Sequence, residues 1–350
     1  MVALVALTTT ACVTSHKGAT LEFQDVPYTS LDGDPWPEKT AELPATAARY
    51  QLGDGTWVRY VELNPTGETT LVFVHGLGSY LKFWRYQLDA FAAKGFRVVA
   101  VDLLGYGKSD KPATFSYTME AQAQVLREFF GVAGIERPVL VGHSMGGQTA
   151  LSYAIQYPEQ LRALVLTSPA GFETFTPAEK AWFRRVFSTA LIKGTSEYGV
   201  WGSVAEGNFA TWRPEFEWLI EERVQFVGNR DFDRYAYANV RSVHGLLDNE
   251  FVRENLAKVE VPTFIVHGDS DRLIPNRFFH AGFTRDVMEV GRAGIPSATL
   301  VELAGCGHTV QMDCAEAYNA AVDKFLRARL SERQRVWPAR DTVALEAGAR

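Results

Sequence analysis

Six short apolar runs, separated by segments with helical periodicity, limit the folds open to this chain more than any other feature. The runs are TTLVFVHG (69–76), FRVVAVDLLG (96–105), RPVLVGHS (137–144), LRALVLTSPAG (161–171), PTFIVHGD (262–269) and ATLVELAG (298–305). Most of their residues are apolar, as expected for parallel strands that helices cover on both faces. Strands that alternate with helical segments are typical of parallel sheets with crossover helices. We therefore expect an α/β fold with a mostly parallel central sheet flanked by helices.

The alternation is interrupted between residues 172 and 255, where no run resembles a buried strand. This segment instead contains aromatic helical stretches such as AEKAWFRRVFSTALI and TWRPEFEWLIEERVQFV. We interpret it as a helical cap that is inserted between two core segments, 51–171 and 256–332. An irregular lead-in at 15–50, rich in Pro, Gly, Asp and Thr, precedes the core, and a C-terminal tail at 333–350 follows it.

Composition limits the classes of function. The formal net charge is −6, and the basic residues form no stripe along the chain, so we expect no nucleic-acid partner. A chain of 350 residues can bury about three quarters of its unfolded surface and needs no metal to stabilise a core. Because no C-x-x-C, H-E-x-x-H or carboxylate cluster is present, we expect no metal ion, and the chemistry below requires no cofactor.

The first residues, MVALVALTTTACVTS, place a short apolar run and small residues before Cys12. The run is too short to span a bilayer, and it resembles the end of a bacterial secretory signal, in particular a lipoprotein signal whose cysteine is lipidated. Two features depart from that pattern, since no Lys or Arg precedes Lys17 and Thr9 stands where Leu is usual. We expect residues 1–14 to direct export to the bacterial cell envelope, with membrane anchoring through lipidated Cys12. The alternative is a cytoplasmic protein.

Ser144 lies in VLVGHSMGGQTA (139–150), between an expected strand and an expected helix. Gly142 and Gly146 stand two positions on either side of it, which is the G-x-S-x-G spacing. Glycines there allow a sharp strand-to-helix turn that exposes the hydroxyl, and the N–H groups of the helix N-terminus point at whatever the hydroxyl attacks. The pattern predicts a nucleophilic serine, although a tight βα turn with serine would have the same spacing.

A nucleophilic serine needs a base, and in this architecture the chain order is serine, then an acid, then histidine. Four histidines follow Ser144. His244 falls in the helical segment, and His267 falls inside an apolar run. His280 belongs to an expected helix, whereas His308 lies in the glycine-rich loop AGCGHTVQ after the last run. We therefore expect His308 to be the base.

The acid that orients the imidazole is expected after the preceding run. The stretch VHGDSDRLIP offers Asp269 and Asp271. We choose Asp271, and Asp269 and Glu173 are the alternatives.

Two backbone N–H groups are expected to stabilise the negative charge that develops on a substrate. The HGLG turn (75–78) can aim the Leu77 N–H toward the site, and the Met145 N–H directly follows the serine. The glycines of this turn would also suit a tight turn with no chemical role.

These motifs, in their order along the chain, resemble those of the α/β-hydrolase fold superfamily, specifically the group with a helical cap after the sixth strand. The matching stretches are HGLG, VDLLGYGKSDKP, GHSMGG, HGDSDRLIP and GCGHTVQMDCAE. Haloalkane dehalogenases and epoxide hydrolases share the cap but use an aspartate nucleophile, so the serine implies acyl chemistry. A proline iminopeptidase is expected to have Trp where this chain has Met145. Four polar residues of the second stretch are expected to brace the loop beside the site: Asp102, Lys108, Ser109 and Asp110.

The resemblance implies a serine hydrolase that cleaves carboxylic esters of small molecules through an acyl-enzyme, with Ser144, Asp271 and His308 as its triad. A C–C bond hydrolase, a lactonase and a cofactor-free perhydrolase would use the same triad. A ligand receptor of the hydrolase fold is the alternative that is not an enzyme. Trp84 and Phe172 are candidates for the walls of an apolar acyl pocket. The sequence does not indicate an oligomeric state.

Cys306 and Cys314 flank His308 in the chain. We expect two reduced, buried thiols. If the protein is exported, a disulfide bond between them becomes possible and would crosslink the loop that carries His308.

Overall fold

The computed structural model describes residues 18–53 and 55–333. The expected export segment with Cys12, and the expected tail beyond residue 333, lie outside the described residues. Within those ranges the strands are β1 (Glu38–Glu42), β2 (Trp57–Leu63), β3 (Thr70–Val74), β4 (Arg97–Val101), β5 (Val139–His143), β6 (Ala163–Thr167), β7 (Thr263–Gly268) and β8 (Ala298–Leu303).

The helices of the described residues surround these strands. They are α1 (Pro44–Tyr50), α2 (Leu88–Ala92), α3 (Met119–Val132), α4 (Met145–Gln156), α5 (Pro177–Val186), α6 (Thr189–Lys193), α7 (Glu197–Trp201), α8 (Trp218–Gln225), α9 (Phe232–Leu247), α10 (Glu250–Glu254), α11 (Thr284–Gly294), α12 (Val310–Asp313) and α13 (Ala315–Arg333). None of these helices has the length and apolarity to span a bilayer.

The described strands form one sheet in the order β1-β2-β4-β3-β5-β6-β7-β8. From β4 to β8 along that order every neighbouring pair is parallel, whereas β2 pairs antiparallel with both β1 and β4. Every residue of β3, β5, β6 and β7 is buried, because helices cover both faces of the sheet centre. The expected mostly parallel α/β sheet is confirmed.

The expectation of an irregular lead-in at 15–50 is wrong for its second half, which forms β1 and α1. The sequence of β1, EKTAE, has four exposed residues out of five, so it carries no apolar run. Tertiary contacts stabilise it instead: β1 pairs with β2, and the Glu38 carboxylate accepts a hydrogen bond of 2.6 Å from Lys108 Nζ. A polar edge strand of this kind is held by its neighbours and leaves no hydrophobic pattern to detect.

Residues 172–255, here called the helical insertion, leave the sheet after β6 and return at β7. They contain α5 to α10. A buried ion pair joins them to the loop after β3, with Lys82 Nζ 2.5 Å from Glu222 Oε1, and the Tyr80 hydroxyl also donates to Glu222. The Tyr235 hydroxyl donates to the Gly78 carbonyl over 3.0 Å. These contacts hold α8 and α9 of the insertion against the carboxyl end of the sheet.

The turn after β4 is built around the Asp102 carboxylate, which is fully buried. It accepts hydrogen bonds from the Tyr28 hydroxyl at 2.5 Å, the Leu81 N–H at 2.8 Å and the Lys108 N–H at 2.8 Å. A Cβ on Gly107, where φ is +48°, would lie 2.3 Å from this carboxylate. Asp102 therefore ties the turn to the loop after β3, as expected for a bracing residue.

Candidate active site

A cavity of about 490 Å³ lies where the carboxyl ends of the parallel strands meet the helical insertion. Loops that follow the strands contribute Ser144 and His308 to its wall, and Leu77 comes from the loop after β3. The remaining lining is largely apolar. Its aromatic and aliphatic members include Phe175, Phe183, Phe187, Phe209, Leu219 and Phe226. Ligand sites of open α/β sheets lie at this end of the strands.

Ser144 occupies a strained turn between β5 and α4. Its φ and ψ are 51° and −114°, a backbone conformation that costs free energy for a residue with a Cβ. The Ser144 N–H donates to the Thr167 carbonyl over 3.0 Å, and its own carbonyl accepts from the N–H groups of Gly147 and Ala170 at 2.9 and 3.0 Å. These bonds hold the turn while the side chain stays half-buried at the cavity.

The two flanking glycines are required by close backbone contacts. A Cβ on Gly142 would lie 2.3 Å from the Gly146 carbonyl oxygen, and a Cβ on Gly146 would lie 2.3 Å from the Val74 carbonyl oxygen. Real Cβ atoms do not approach so closely. The G-x-S-x-G spacing therefore permits the tight packing of β5, α4 and β3 around Ser144.

Asp271, in the loop after β7, is the carboxylate that pairs with the histidine. Its Oδ2 accepts a hydrogen bond of 2.8 Å from His308 Nδ1, and both side chains are buried. Asp271 Oδ1 accepts the N–H groups of Leu273 and Ile274 at 2.8 and 3.1 Å. This carboxylate is thus oriented from the side opposite the imidazole.

The two alternative acids have other partners. Asp269 is exposed, and its Oδ1 accepts the Gly305 N–H over 2.8 Å. Glu173 lines the cavity, but its Oε1 accepts the Asn276 N–H at 2.7 Å and lies 2.5 Å from His280 Nδ1. Burial raises the pKa of Glu173. The structure therefore brings Asp271, and neither alternative, to His308.

The residue before the serine also contacts the histidine loop. His143 Nε2 lies 3.2 Å from the His308 carbonyl oxygen, and the two imidazole rings are 5.0 Å apart. Burial holds the pKa of His143 well below its usual range, so its ring is neutral and Nε2 donates to that carbonyl. This contact positions the backbone of His308 beside the Ser144 turn.

The expectation of two reduced thiols is wrong. Cys306 and Cys314 form a disulfide, with their Cα atoms 5.9 Å apart. The loop that it closes contains His308, and the Asp313 carboxylate also accepts the Gly307 N–H over 2.7 Å. Eight residues of sequence separation allow the bridge, but only the fold brings the two sulfurs together.

We expect the disulfide to stabilise the protein and to order the histidine loop. For a closed loop of this size, chain entropy gives about 2–3 kcal/mol. Treatment with a reductant is expected to lower the melting temperature by several degrees. The double variant Cys306→Ala/Cys314→Ala should have the lower melting temperature without reductant and show no further change with it. Equal melting curves for the native protein with and without reductant would contradict the expectation.

The loop after β3 is held close to the serine. A Cβ on Gly76 would lie 2.9 Å from His143 Nδ1 and 3.3 Å from Ser144 Cβ, so glycine lets the loop approach without displacing either side chain. The Gly76 carbonyl accepts the Ser79 hydroxyl at 2.8 Å, which fixes the turn that carries Leu77. Met145 is the first residue of α4. The N–H groups of Leu77 and Met145 thus belong to the two segments that flank the Ser144 side chain.

The prediction that Trp84 and Phe172 form the walls of the pocket is wrong, because neither is among the described residues that line the cavity. Trp84 is fully buried and packs on Phe73, with ring centroids 5.1 Å apart. Phe172 lies beneath α11, where a Cβ on Gly291 would be 2.2 Å from its ring. Both residues are near the site in sequence, but the local backbone directs their side chains into the core.

Arg223 lines the cavity and was missed, because an arginine in the helical stretch EERVQ resembles a surface residue. Its Nη1 donates to the Gly78 carbonyl over 2.9 Å, and its guanidinium lies over the Tyr235 ring. Burial lowers the pKa of Arg223 to about 10, so it stays charged at neutral pH. Among the residues that the structure describes, no carboxylate forms an ion pair with it.

No group of three His, Cys, Asp or Glu side chains in the described part of the chain has the arrangement of a metal site. The polar residues at the cavity include Ser144, Glu173, Arg223 and His308, the last of which is hydrogen-bonded to Asp271. Such a set can transfer protons and attack a carbonyl carbon without a bound ion.

Comparison with known proteins identifies the family. The profile of the alpha/beta hydrolase family matches residues 71–321. A 2-hydroxy-6-oxononadienedioate/2-hydroxy-6-oxononatrienedioate hydrolase from Burkholderia vietnamiensis is 30% identical over 289 residues, which cover 78% of this chain and 93% of that protein.

Solved structures show the same fold. The crystal structure of a probable hydrolytic enzyme from Pseudomonas aeruginosa has a TM-score of 0.76 and 24% identity, covering 89% of this chain and 99% of that one. An esterase from Exiguobacterium antarcticum has a TM-score of 0.66 and 24% identity, covering 79% and 98%. With the family profile matched over most of its length, this chain belongs to the alpha/beta hydrolase family.

Proposed function

We propose that this protein hydrolyses carboxylic esters through an acyl-enzyme, with Ser144 as nucleophile, His308 as base and Asp271 as the orienting acid. The observation that carries the proposal is the 2.8 Å hydrogen bond from His308 Nδ1 to Asp271, made at a cavity to which the strained turn at Ser144 presents its side chain. A histidine paired in this way keeps its second nitrogen available for a serine proton.

These positions support the following reaction. His308 Nε2 takes the proton as Ser144 Oγ attacks the ester carbonyl carbon, and the N–H groups of Leu77 and Met145 stabilise the resulting oxyanion. The C–O bond then breaks, and His308 returns the proton to the leaving alcohol. Water attacks the acyl-enzyme by the same route and releases the carboxylic acid. The aromatic wall of the cavity would hold the acyl chain.

A fluorophosphonate probe tests the nucleophile, and a series of p-nitrophenyl esters tests the substrate class. We expect the probe to modify Ser144, identified by peptide mass, and the esters to be hydrolysed at a rate that the probe abolishes. Folded protein that neither reacts with the probe nor cleaves any ester would overturn the proposal and favour a ligand receptor.

A C–C bond hydrolase is the second candidate, and Arg223 favours it. A cation in an apolar cavity, without a carboxylate partner among the described residues, is suited to a substrate carboxylate. The relative from Burkholderia vietnamiensis is named for dienedioate substrates, which carry two carboxylates. The same serine and histidine would serve that reaction.

Substitution of Arg223 separates the two candidates. If the substrate is a dienedioate, Arg223→Gln should lower kcat/KM for it by about 100-fold, because a charged hydrogen bond of about 2–3 kcal/mol is lost. Hydrolysis of a neutral ester should fall much less, because the glutamine amide keeps an N–H donor for the Gly78 carbonyl. Arg230→Gln, at a side chain that is 75% exposed, is the matched control. An absence of dienedioate cleavage by the native protein would exclude this candidate.

A further inference from the structure

Large apolar side chains are exposed mainly on one part of the molecule. Of those exposed in the described residues, five lie in the helical insertion and three lie between residues 273 and 283, whereas only Leu31, Val132 and Val290 lie elsewhere. Soluble proteins rarely concentrate exposed apolar residues in this way unless the surface binds something.

We group five of these residues as the apolar rim: Trp182 and Val186 of α5, and Leu273, Phe278 and Phe283 of the segment after β7. Phe278 and Phe283 are 86% and 74% exposed. The Trp182 ring lies 6.4 Å from the Phe278 ring, and Val186 follows Trp182 by four residues on the same face of α5. The rim therefore joins α5 of the insertion to the segment after β7.

The apolar rim is continuous with the wall of the cavity. Leu273 is 40% exposed and also lines the cavity. Phe183 lines the cavity as well, and its ring packs against Trp182 at 5.6 Å. An acyl chain could thus move from the rim toward Ser144 along apolar surface.

The N-terminal part of the described chain contacts the helical insertion. The Leu21 N–H donates to the Gln225 carbonyl over 3.3 Å, and Asn229 Nδ2 donates to the Leu21 carbonyl over 3.1 Å. Cys12, the expected lipidation site, precedes Gly18 by six residues, which can extend at most about 20 Å. A lipid on Cys12 would therefore bring the insertion to a membrane. The disulfide agrees with a location outside the cytoplasm.

We propose that the apolar rim docks on a lipid bilayer and that Ser144 hydrolyses acyl esters of lipids taken from it. The proposal rests on ester hydrolysis as proposed above. Trp is enriched at membrane–water interfaces, and Trp, Phe and Leu are common on the apolar face of helices that lie on a membrane. The exposed Arg185 beside Val186 suits anionic headgroups. The chemistry is the same hydrolysis: water is consumed, the ester C–O bond breaks, and a fatty acid and an alcohol are released.

Vesicle binding tests the docking separately from catalysis. The parent for this test is the full chain with two substitutions. Cys12→Ala prevents attachment of a lipid, and Ser144→Ala prevents hydrolysis of an ester. We expect this parent to sediment with vesicles of phosphatidylglycerol and phosphatidylethanolamine, and Phe278→Ser/Phe283→Ser to weaken this binding at least tenfold. The matched control is Leu31→Ser/Val132→Ser, whose side chains are 54% and 53% exposed but lie outside the rim; it should bind as the parent does.

Activity with Ser144 intact gives the second readout. The rim variant should hydrolyse a soluble p-nitrophenyl ester at the parental rate but a vesicle-embedded phospholipid at least tenfold more slowly. Equal vesicle binding by the rim variant and the control, or none by the parent, would overturn the docking proposal. So would a dimer that the rim substitutions dissociate, since a second copy would then cover the rim. Vesicle binding without hydrolysis of any ester would refute the proposed function but leave the docking intact.

Discussion

Ser144→Ala is expected to reduce ester turnover by roughly 10⁴- to 10⁶-fold, as loss of the nucleophile does in serine hydrolases. The substitution removes only the hydroxyl oxygen. The turn around Ser144 is held by backbone hydrogen bonds to residues such as Thr167 and Ala170, so the melting temperature should remain within a few degrees of the parent. The measurement is the initial rate of p-nitrophenyl ester hydrolysis, with thermal unfolding followed in parallel.

Ser203→Ala is the matched control for this experiment. Ser203 lines the same cavity, but its hydroxyl donates to the Val200 carbonyl over 2.9 Å. The control should retain the parental rate and the reaction with a fluorophosphonate probe. If Ser144→Ala kept more than a tenth of the parental activity, the nucleophile would have to be another residue.

Asp271→Asn is expected to lower kcat by about 10⁴-fold. The amide oxygen can still accept the N–H groups of Leu273 and Ile274, which places the amide NH₂ opposite His308 Nδ1. His308 Nδ1 would then have to accept a hydrogen bond from this NH₂ group, so the imidazole proton would move to His308 Nε2. Nε2 could no longer take the Ser144 proton, and stability should change little.

The neighbouring Asp269→Asn serves as its control, since Asp269 is exposed and bonded to the Gly305 N–H. It should leave kcat within a factor of two or so, because surface substitutions of this kind are nearly neutral. Activity of Asp271→Asn within tenfold of the parent would assign the orienting role to Glu173 or Asp269 instead. The pair of variants therefore tests the choice between two acids in the same loop.

Features with a local cause were predictable from the sequence. The buried strands form where the apolar runs stand, because each must be covered on both faces. The turn at Ser144 needs glycine at 142 and 146, since a Cβ at either position would meet a backbone carbonyl at 2.3 Å. A short polar edge strand has no such signature, and β1 was accordingly missed.

By itself the sequence determined the parallel sheet, the strained turn at Ser144 and the loop position of His308, because local packing and chain order require them. Only the tertiary structure decided that Asp271 rather than Asp269 reaches His308. It also decided that Arg223 rather than Trp84 lines the cavity. These outcomes depend on distances between segments that are remote in the chain and on the direction of each side chain, and neither quantity is encoded in a short stretch of residues.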